Sequence, residues 1–151
     1  TDNNRESFIT REDVLAAKAK GQEELARLIK SMRNSGELLF VLENVGSLPA
    51  SFGGDCFLSL VMHENKDVRF WAVKNLGKLK SLEFLHVFVQ IAKSDPSTTV
   101  RREAVSSIGR MRRAEAIPLL ISTLQDKDPK IVCQAIRGLL VYKGNEEVDA
   151  R

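Results

Sequence analysis

An internal repeat is the feature that most constrains how this chain folds. Gly46, Gly77, Gly109 and Leu140 occupy matching positions in four similar segments, and successive members are 31, 32 and 31 positions apart. A period of this length is typical of a helical hairpin that is copied along the chain. One such hairpin cannot bury its apolar face alone, so its copies must pack against one another. The repeat therefore predicts a stack of similar helical units.

The spacing of the apolar residues indicates that these units are helical. Leu, Ile, Val, Phe and Ala recur three and four residues apart, and strict alternation is absent. This periodicity predicts helices throughout and no strand. Asp95 and Asp128 are each followed by a proline, which predicts a turn just before the second helix of two hairpins. The predicted fold is all-α, a right-handed α-solenoid of about four hairpins.

Within this array the apolar pattern also predicts the element boundaries. Thr10 is the expected N-cap of the first helix, which Gly21 interrupts before it ends near Gly36. Asp55 is the expected cap of the helix that follows the first hairpin. The later helices are predicted over residues 38–48, 56–63, 68–79, 82–93, 100–111, 114–125 and 130–142.

The repeats predict one domain over residues 1–151. We expect residues 1–9 to be disordered and residues 145–151 to begin a further hairpin, as in a piece of a longer array. The four predicted repeats span roughly residues 10–48, 49–80, 81–112 and 113–144.

Composition and cysteine usage narrow the class of protein. A length of 151 residues with a 43% hydrophobic share is sufficient for a continuous core. Cys56 and Cys133 lie in apolar helical segments, so we expect buried, reduced thiols rather than a disulfide framework. The longest apolar run, residues 38–42, is far shorter than the ~20 residues that cross a bilayer. We expect a soluble, cytoplasmic protein with no membrane partner, no cofactor and no metal.

Two of the repeated segments resemble the second helix of HEAT repeats. Residues 67–77 read Asp-Val-Arg-Phe-Trp-Ala-Val-Lys-Asn-Leu-Gly, and residues 99–109 read Thr-Val-Arg-Arg-Glu-Ala-Val-Ser-Ser-Ile-Gly. They are most similar to the short repeats of phycobilisome-lyase-type proteins, whose first helix the Ala-Ile-Pro-Leu-Leu of residues 116–120 also resembles. Leu140 departs from the pattern, which has Gly there. The resemblance covers roughly residues 36–146 and implies a scaffold that binds other proteins.

The resemblance also implies structural roles for individual residues. The small side chains of Ala72, Ala104 and Ala135 would let paired helices approach each other closely. Arg69 and Arg101 match the family position whose side chain forms a ladder with acidic groups in adjacent turns. We therefore expect these two arginines to stabilise the stack rather than to contact a ligand.

Positive charge is concentrated in the second helices. Residues 1–66 carry eight Lys/Arg and ten Asp/Glu, whereas residues 67–151 carry fifteen and ten. The second-helix segments have net charges of +3, +4 and +3, whereas two first-helix segments have 0 and −2. The second-helix segments are residues 67–80, 98–113 and 130–143. The first-helix segments are residues 82–93 and 114–126.

Helical geometry predicts that several of these basic side chains share one face. At ~100° per residue, they point away from the apolar stripe of their own helix. Second helices line the concave side of a HEAT-like stack, so we expect a basic concave groove that binds an acidic protein or peptide. The predicted partner-binding residues are Lys74, Lys78, Arg102, Arg110 and Arg137.

Two other classes of function remain open from the sequence. The same Lys and Arg residues could neutralise nucleic-acid phosphates, although few aromatic residues are available for stacking on bases. Helical-repeat proteins also include bilin lyases and alkyl-base DNA glycosylases. However, neither His63 nor His86 has a metal-ligand partner at a suitable offset, and Gly53 and Gly54 lack the surroundings of a phosphate loop. With no candidate catalytic residue, the sequence favours a non-catalytic role.

Overall fold

A computed structural model describes residues 8–142, which fold into nine α-helices and no strand. The all-α prediction is confirmed over this range. Short 3-10 turns, Leu82–Phe84 and Ala114–Ala116, precede two of the helices. The helices are α1 Arg11–Lys20, α2 Gln22–Ser31, α3 Ser35–Glu43, α4 Asp55–Leu58, α5 Lys66–Lys78, α6 Leu85–Ser94, α7 Thr98–Arg110, α8 Ile117–Thr123 and α9 Pro129–Leu140.

The second helices of successive hairpins start at one common register. Their N-cap residues are Asn34, Asn65, Ser97 and Asp128, which are 31, 32 and 31 positions apart. Each of these side chains accepts a hydrogen bond from a backbone N–H in the first turn of its helix. Capping satisfies a donor that has no partner within the helix. The repeat is therefore encoded in the caps as well as in the apolar pattern.

The helices form two layers. The second-helix layer consists of α3, α5, α7 and α9, each packed against the next. The first-helix layer consists of α2, α4, α6 and α8, and α4, α6 and α8 each pack against the second helix of their own hairpin. The side chains between the layers form one continuous apolar core. Every hairpin therefore contributes one helix to each layer.

Close approach within the second-helix layer depends on small residues. A Cβ atom on Gly109 would lie 2.9 Å from the Cα of Gly138, and one on Gly77 would lie 2.9 Å from the Cβ of Ser107. The three alanines that were predicted to lie between paired helices are fully buried at the seventh position after the N-cap: Ala72, Ala104 and Ala135.

The first-helix layer is more loosely packed. A groove separates each successive pair of first-helix segments. The residues that line the three grooves from opposite sides include Ala26 with Cys56, Met62 with Ile91, and Val89 with Leu119.

Several predicted boundaries differ from the structure in the first half of the chain. Gly21, with φ of 122°, separates α1 from α2 as predicted, and Thr10 caps α1. The helix predicted over residues 38–48 begins at Ser35 and ends at Glu43, and the helix predicted over 56–63 is the short Asp55–Leu58. Gly54 rather than Asp55 is the N-cap of that helix.

The repeat glycines are not equivalent throughout. Gly46 lies in an exposed loop at φ of 67°, whereas Gly77 and Gly109 are buried within helices. A residue at positive φ ends a helix, so α3 cannot continue as far as α5 and α7 do. The second helix of the first repeat, α3, therefore starts at the common register but is shorter than α5 and α7.

The prediction that both cysteines are buried is half wrong. Cys56 is buried, and burial raises the pKa of its thiol to about 11. Cys133 is exposed on α9. It occupies the fifth position after the N-cap, which Phe70 and Arg102 occupy in the preceding repeats, and none of the three is fully buried. An apolar stretch of sequence was therefore a poor guide to which side of α9 this residue faces.

The predictions for residues 1–7 and 145–151 concern segments outside the described range. Between residues 8 and 142, no helix combines the length and apolar character required to cross a bilayer.

Candidate functional site

All five predicted partner-binding residues lie on the second-helix layer. Lys74 and Lys78 belong to α5, Arg102 and Arg110 to α7, and Arg137 to α9. Lys74 and Arg137 occupy the ninth position after their N-caps, and Lys78 and Arg110 occupy the thirteenth. Arg137 is exposed, and the other four are partly exposed. The layer therefore presents basic side chains at repeating positions.

Lys78 and Lys18 converge on the loop that follows α3. The Nζ of Lys78 donates a hydrogen bond to the carbonyl oxygen of Gly46 at 2.7 Å. The Nζ of Lys18 donates to the carbonyl oxygens of Val45 at 2.5 Å and Ser47 at 2.8 Å. Two ammonium groups are thus held at three successive carbonyls. Lys18 could not be predicted from the repeat pattern, because it lies on α1 and belongs to no repeated basic position.

Neighbouring positive charges act on Lys78. The pKa of Lys78 is lowered, first by burial and then by the charges of Lys74, Lys18 and Arg110. Both causes disfavour the charged ammonium form. We call Lys18, Lys74, Lys78 and Arg110 the basic cluster. It links α1, α5 and α7 near the loop over residues 45–47.

Lys74 is positioned by two aromatic rings. Its Nζ lies 6.0 Å from the ring centre of Phe70 and 5.8 Å from that of Trp71. The two rings are half-buried and meet edge to face, with centres 5.7 Å apart. Trp71 packs against the core. A cation over an aromatic face gains about 0.5–1 kcal/mol at such sites, so the rings favour one orientation of Lys74.

Arg110 is paired within the protein. Its Nη2 lies 2.6 Å from the Oε2 of Glu103, two turns earlier on α7, and 3.2 Å from the Oγ of Ser107. Its Nη1 donates to the Oγ of Ser106 at 2.9 Å. The Glu103 side chain is only 10% exposed, whereas that of Arg110 is 37% exposed. Arg110 is therefore partly neutralised, which the sequence analysis did not anticipate.

Arg102 and Arg137 are not paired in this way. In the part of the chain that the structure describes, neither forms an ion pair with an acidic residue. The Nε of Arg102 is buried and donates no hydrogen bond there. Both guanidinium groups therefore retain donors for a further acceptor.

The predicted arginine ladder is confirmed. Arg69 on α5 forms two hydrogen bonds to Asp95, which follows α6, at 2.9 and 3.1 Å. Arg101 on α7 forms the equivalent ion pair with Asp126, which follows α8. Val132 occupies the matching position on α9, so the ladder has two rungs within residues 8–142. These arginines join adjacent repeats and do not belong to the candidate partner surface.

Each acidic member of the ladder has a second role at the start of a helix. One carboxylate oxygen of Asp95 accepts the backbone N–H of the N-cap residue Ser97 at 2.8 Å, and Asp126 accepts that of Asp128 at 2.9 Å. In the preceding repeat the Nδ1 of His63 accepts the N–H of Asn65 at 3.0 Å. In three successive repeats, the side chain two residues before the N-cap therefore accepts a hydrogen bond from the backbone of the N-cap residue and so orients the turn.

The remaining candidate residues serve packing or local structure. A Cβ atom on Gly54 would lie 2.6 Å from the Cζ of Phe84 and 2.8 Å from the Cδ1 of Leu76, which explains a glycine there. His86 is exposed. Across residues 8–142, no three His, Cys, Asp or Glu side chains group as metal ligands would.

Comparison with known proteins supports the repeat class. The sequence profile of HEAT repeats matches residues 85–150, which include α6 to α9. No curated protein matches the chain. The matched region contains the second ladder pair, Arg101 with Asp126, and the closely packed Gly109 and Gly138. Residues 85–150 are therefore similar to HEAT repeats.

Proposed function

We propose that this protein is a non-catalytic interaction scaffold that binds an acidic protein segment along its second-helix layer. The basic cluster is the observation that most supports this function, since the ammonium groups of Lys18 and Lys78 converge on the carbonyl oxygens of residues 45–47. Stacked helical repeats offer extended surfaces to their partners. The proposed contacts are Lys74, Lys78, Arg102, Arg110 and Arg137.

The packing of the two layers supports a concave shape for this surface. Gly77, Gly109 and Gly138 let neighbouring second helices approach closely, whereas grooves separate the first helices. A stack that is tighter on one side curves toward that side. An extended acidic segment lying along the concave side would reach α5, α7 and α9 together.

The five residues would contribute unequally. Lys74 and Arg137 form no ion pair within residues 8–142, so their charges are available to a partner. Arg110 shares its charge with Glu103, and Lys78 is held by the carbonyl of Gly46. Exposed charges of this kind speed encounter and orient docking more than they add affinity.

Nucleic-acid binding is the second candidate, favoured by two aromatic rings beside basic residues. Phe70 and Trp71 are half-buried, and Lys74 already lies over both rings. Single-strand binding needs aromatic faces on which bases can stack. Because these faces are occupied, we place an acidic protein segment first.

Charge reversal at Lys74 and Arg137, two of the proposed contacts that form no ion pair within residues 8–142, tests the proposal. The variant Lys74→Glu/Arg137→Glu should weaken binding of a fluorescein-labelled poly-glutamate peptide about ten-fold or more at low salt. Lys93→Glu/Lys127→Glu makes the same charge change at exposed positions outside the second-helix layer and is the matched control. Fluorescence anisotropy measures both.

Equal weakening by the two double variants would show that only net charge matters and would reject the surface. A salt series with single-stranded DNA tests the second candidate, because its phosphates release counterions on binding and its bases are free to stack on aromatic rings. Tighter binding of DNA than of poly-glutamate across that series would favour nucleic acid instead.

A further inference from the structure

The basic cluster contains more positive charges than the acidic side chains around it neutralise. Arg110 is paired with Glu103. Lys18, Lys74 and Lys78 form no ion pair in the stretch from residue 8 to residue 142. Glu43 occupies the same register position in α3 as Lys74 in α5, the ninth after the N-cap. It is exposed and unpaired over the same stretch.

The ammonium groups of the cluster are fixed in place and retain donors. Each has three N–H groups. Lys78 uses one on Gly46, and Lys18 uses one each on Val45 and Ser47. Lys74 lies over aromatic rings rather than at a hydrogen-bond acceptor. Donors on all three lysines therefore remain for an acceptor with several oxygens.

The backbone at Gly46 brings two of these groups together. The Nζ of Lys78 contacts the Gly46 carbonyl, and the Nζ of Lys18 lies 3.6 Å from the place of a Cβ on the same residue. The φ of 67° at this position favours glycine. Lys74 lies one turn before Lys78 on α5, so their side chains are neighbours. The loop and the helix thus hold three cations around one small region.

From this arrangement we infer that the basic cluster binds a phosphate monoester carried by a phosphorylated side chain of the acidic partner. This inference rests on the proposed function. A phosphate monoester carries about −1.5 to −2 charges and three acceptor oxygens. It matches three unpaired lysines better than a carboxylate does, because a carboxylate has one charge and two oxygens.

Peptides that differ at one residue test this inference. Short peptides of Glu and Ala would carry phosphoserine, Glu or Ser at the centre, and each would be titrated into the ¹⁵N-labelled protein. The phosphoserine peptide should bind about ten-fold tighter than the Glu peptide. Its amide shifts should centre on residues 45–47 and 74–78. Lys74→Met should abolish this preference, whereas Lys93→Met, outside the cluster, should leave it intact.

Each failure has a distinct meaning. If the Glu and phosphoserine peptides bind equally well, the phosphate inference is overturned and the scaffold proposal survives. If none of the peptides binds, the proposed function itself fails. Inorganic phosphate is the probe for a free ion. Should it compete as tightly as the phosphopeptide binds, the cluster is an ion site and the assignment to a partner's side chain is wrong.

Discussion

Arg69 and Asp95 join two adjacent repeats through a two-pronged ion pair. The Nε and Nη2 of Arg69 lie 2.9 and 3.1 Å from the two carboxylate oxygens of Asp95. Their side chains are only 11% and 5% exposed. The Nη1 of Arg69 also donates to the carbonyl oxygens of His63 and Glu64. One side chain therefore connects a helix of one repeat to its own preceding turn and to the turn of the next repeat.

Removing this arginine should destabilise the stack. Arg69→Met leaves the buried Asp95 carboxylate without its counter-charge, which costs about 3 kcal/mol for a buried pair. Urea unfolding followed by circular dichroism measures the loss in the free energy of unfolding. Arg27→Met breaks an exposed pair with Glu24 and should change that free energy by less than about 1 kcal/mol. Similar losses in the two variants would contradict a special role for the ladder.

Two basic residues adopt the left-handed conformation at equivalent helix ends. Lys80 and Arg112 have φ of 53° and 52° and directly follow the C-caps of α5 and α7. Because glycine adopts this conformation without steric cost, Lys80→Gly should stabilise the protein by about 0.5–1 kcal/mol. Lys93→Gly, inside α6, should destabilise it by about the same amount. Thermal unfolding shows whether each variant is more or less stable than the original protein. Destabilisation by Lys80→Gly would contradict a steric cost of the left-handed conformation at Lys80.

Tight packing in the second-helix layer predicts a cost for a larger side chain. Ala104 is fully buried on α7. Ala104→Leu should lower the free energy of unfolding by about 1–3 kcal/mol through overpacking. Ala19→Leu adds the same atoms at an exposed position of α1 and should be nearly neutral. If chemical denaturation shows no difference between the two variants, the side chain of Ala104 is not tightly packed.

The two cysteines should differ in reactivity. Cys133 is exposed, whereas Cys56 is buried with its pKa raised to about 11, so little of its thiol is ionised at neutral pH. A thiol reagent at neutral pH should modify Cys133 quickly and reach Cys56 only after unfolding. Mass spectrometry after brief labelling identifies the site. The variant Cys133→Ala should remain unlabelled in the folded state, and rapid labelling of that variant would contradict the burial of Cys56.

The sequence was informative wherever structure depends on nearby residues. The spacing of the repeats and the cap at Thr10 were predictable, because each follows from a periodic pattern or a local motif. The ladder positions Arg69 and Arg101 were predictable only from the resemblance to HEAT repeats. The end of α3 was not predictable, since the left-handed backbone at Gly46 depends on the loop rather than on the apolar pattern.

Side-chain partners across elements were harder to foresee. Lys18 joins the basic cluster through contacts with residues 27 and 29 positions away, which no local pattern encodes. The pairing of Arg110 with Glu103 could have been suspected, because a separation of seven residues places both on one face of a helix. The burial of Cys133 was predicted wrongly from the apolar character of its segment. Its exposure follows instead from its position after the N-cap, which it shares with Phe70 and Arg102.

The most direct measurement on the binding surface is chemical-shift mapping of the ¹⁵N-labelled protein with an unlabelled poly-glutamate peptide. Binding along the second-helix layer predicts that the largest amide shifts fall on α5, α7 and α9, while amides of α6 and α8 change little. Shifts that fall mainly on α6 and α8, or that spread evenly over both layers, would contradict it.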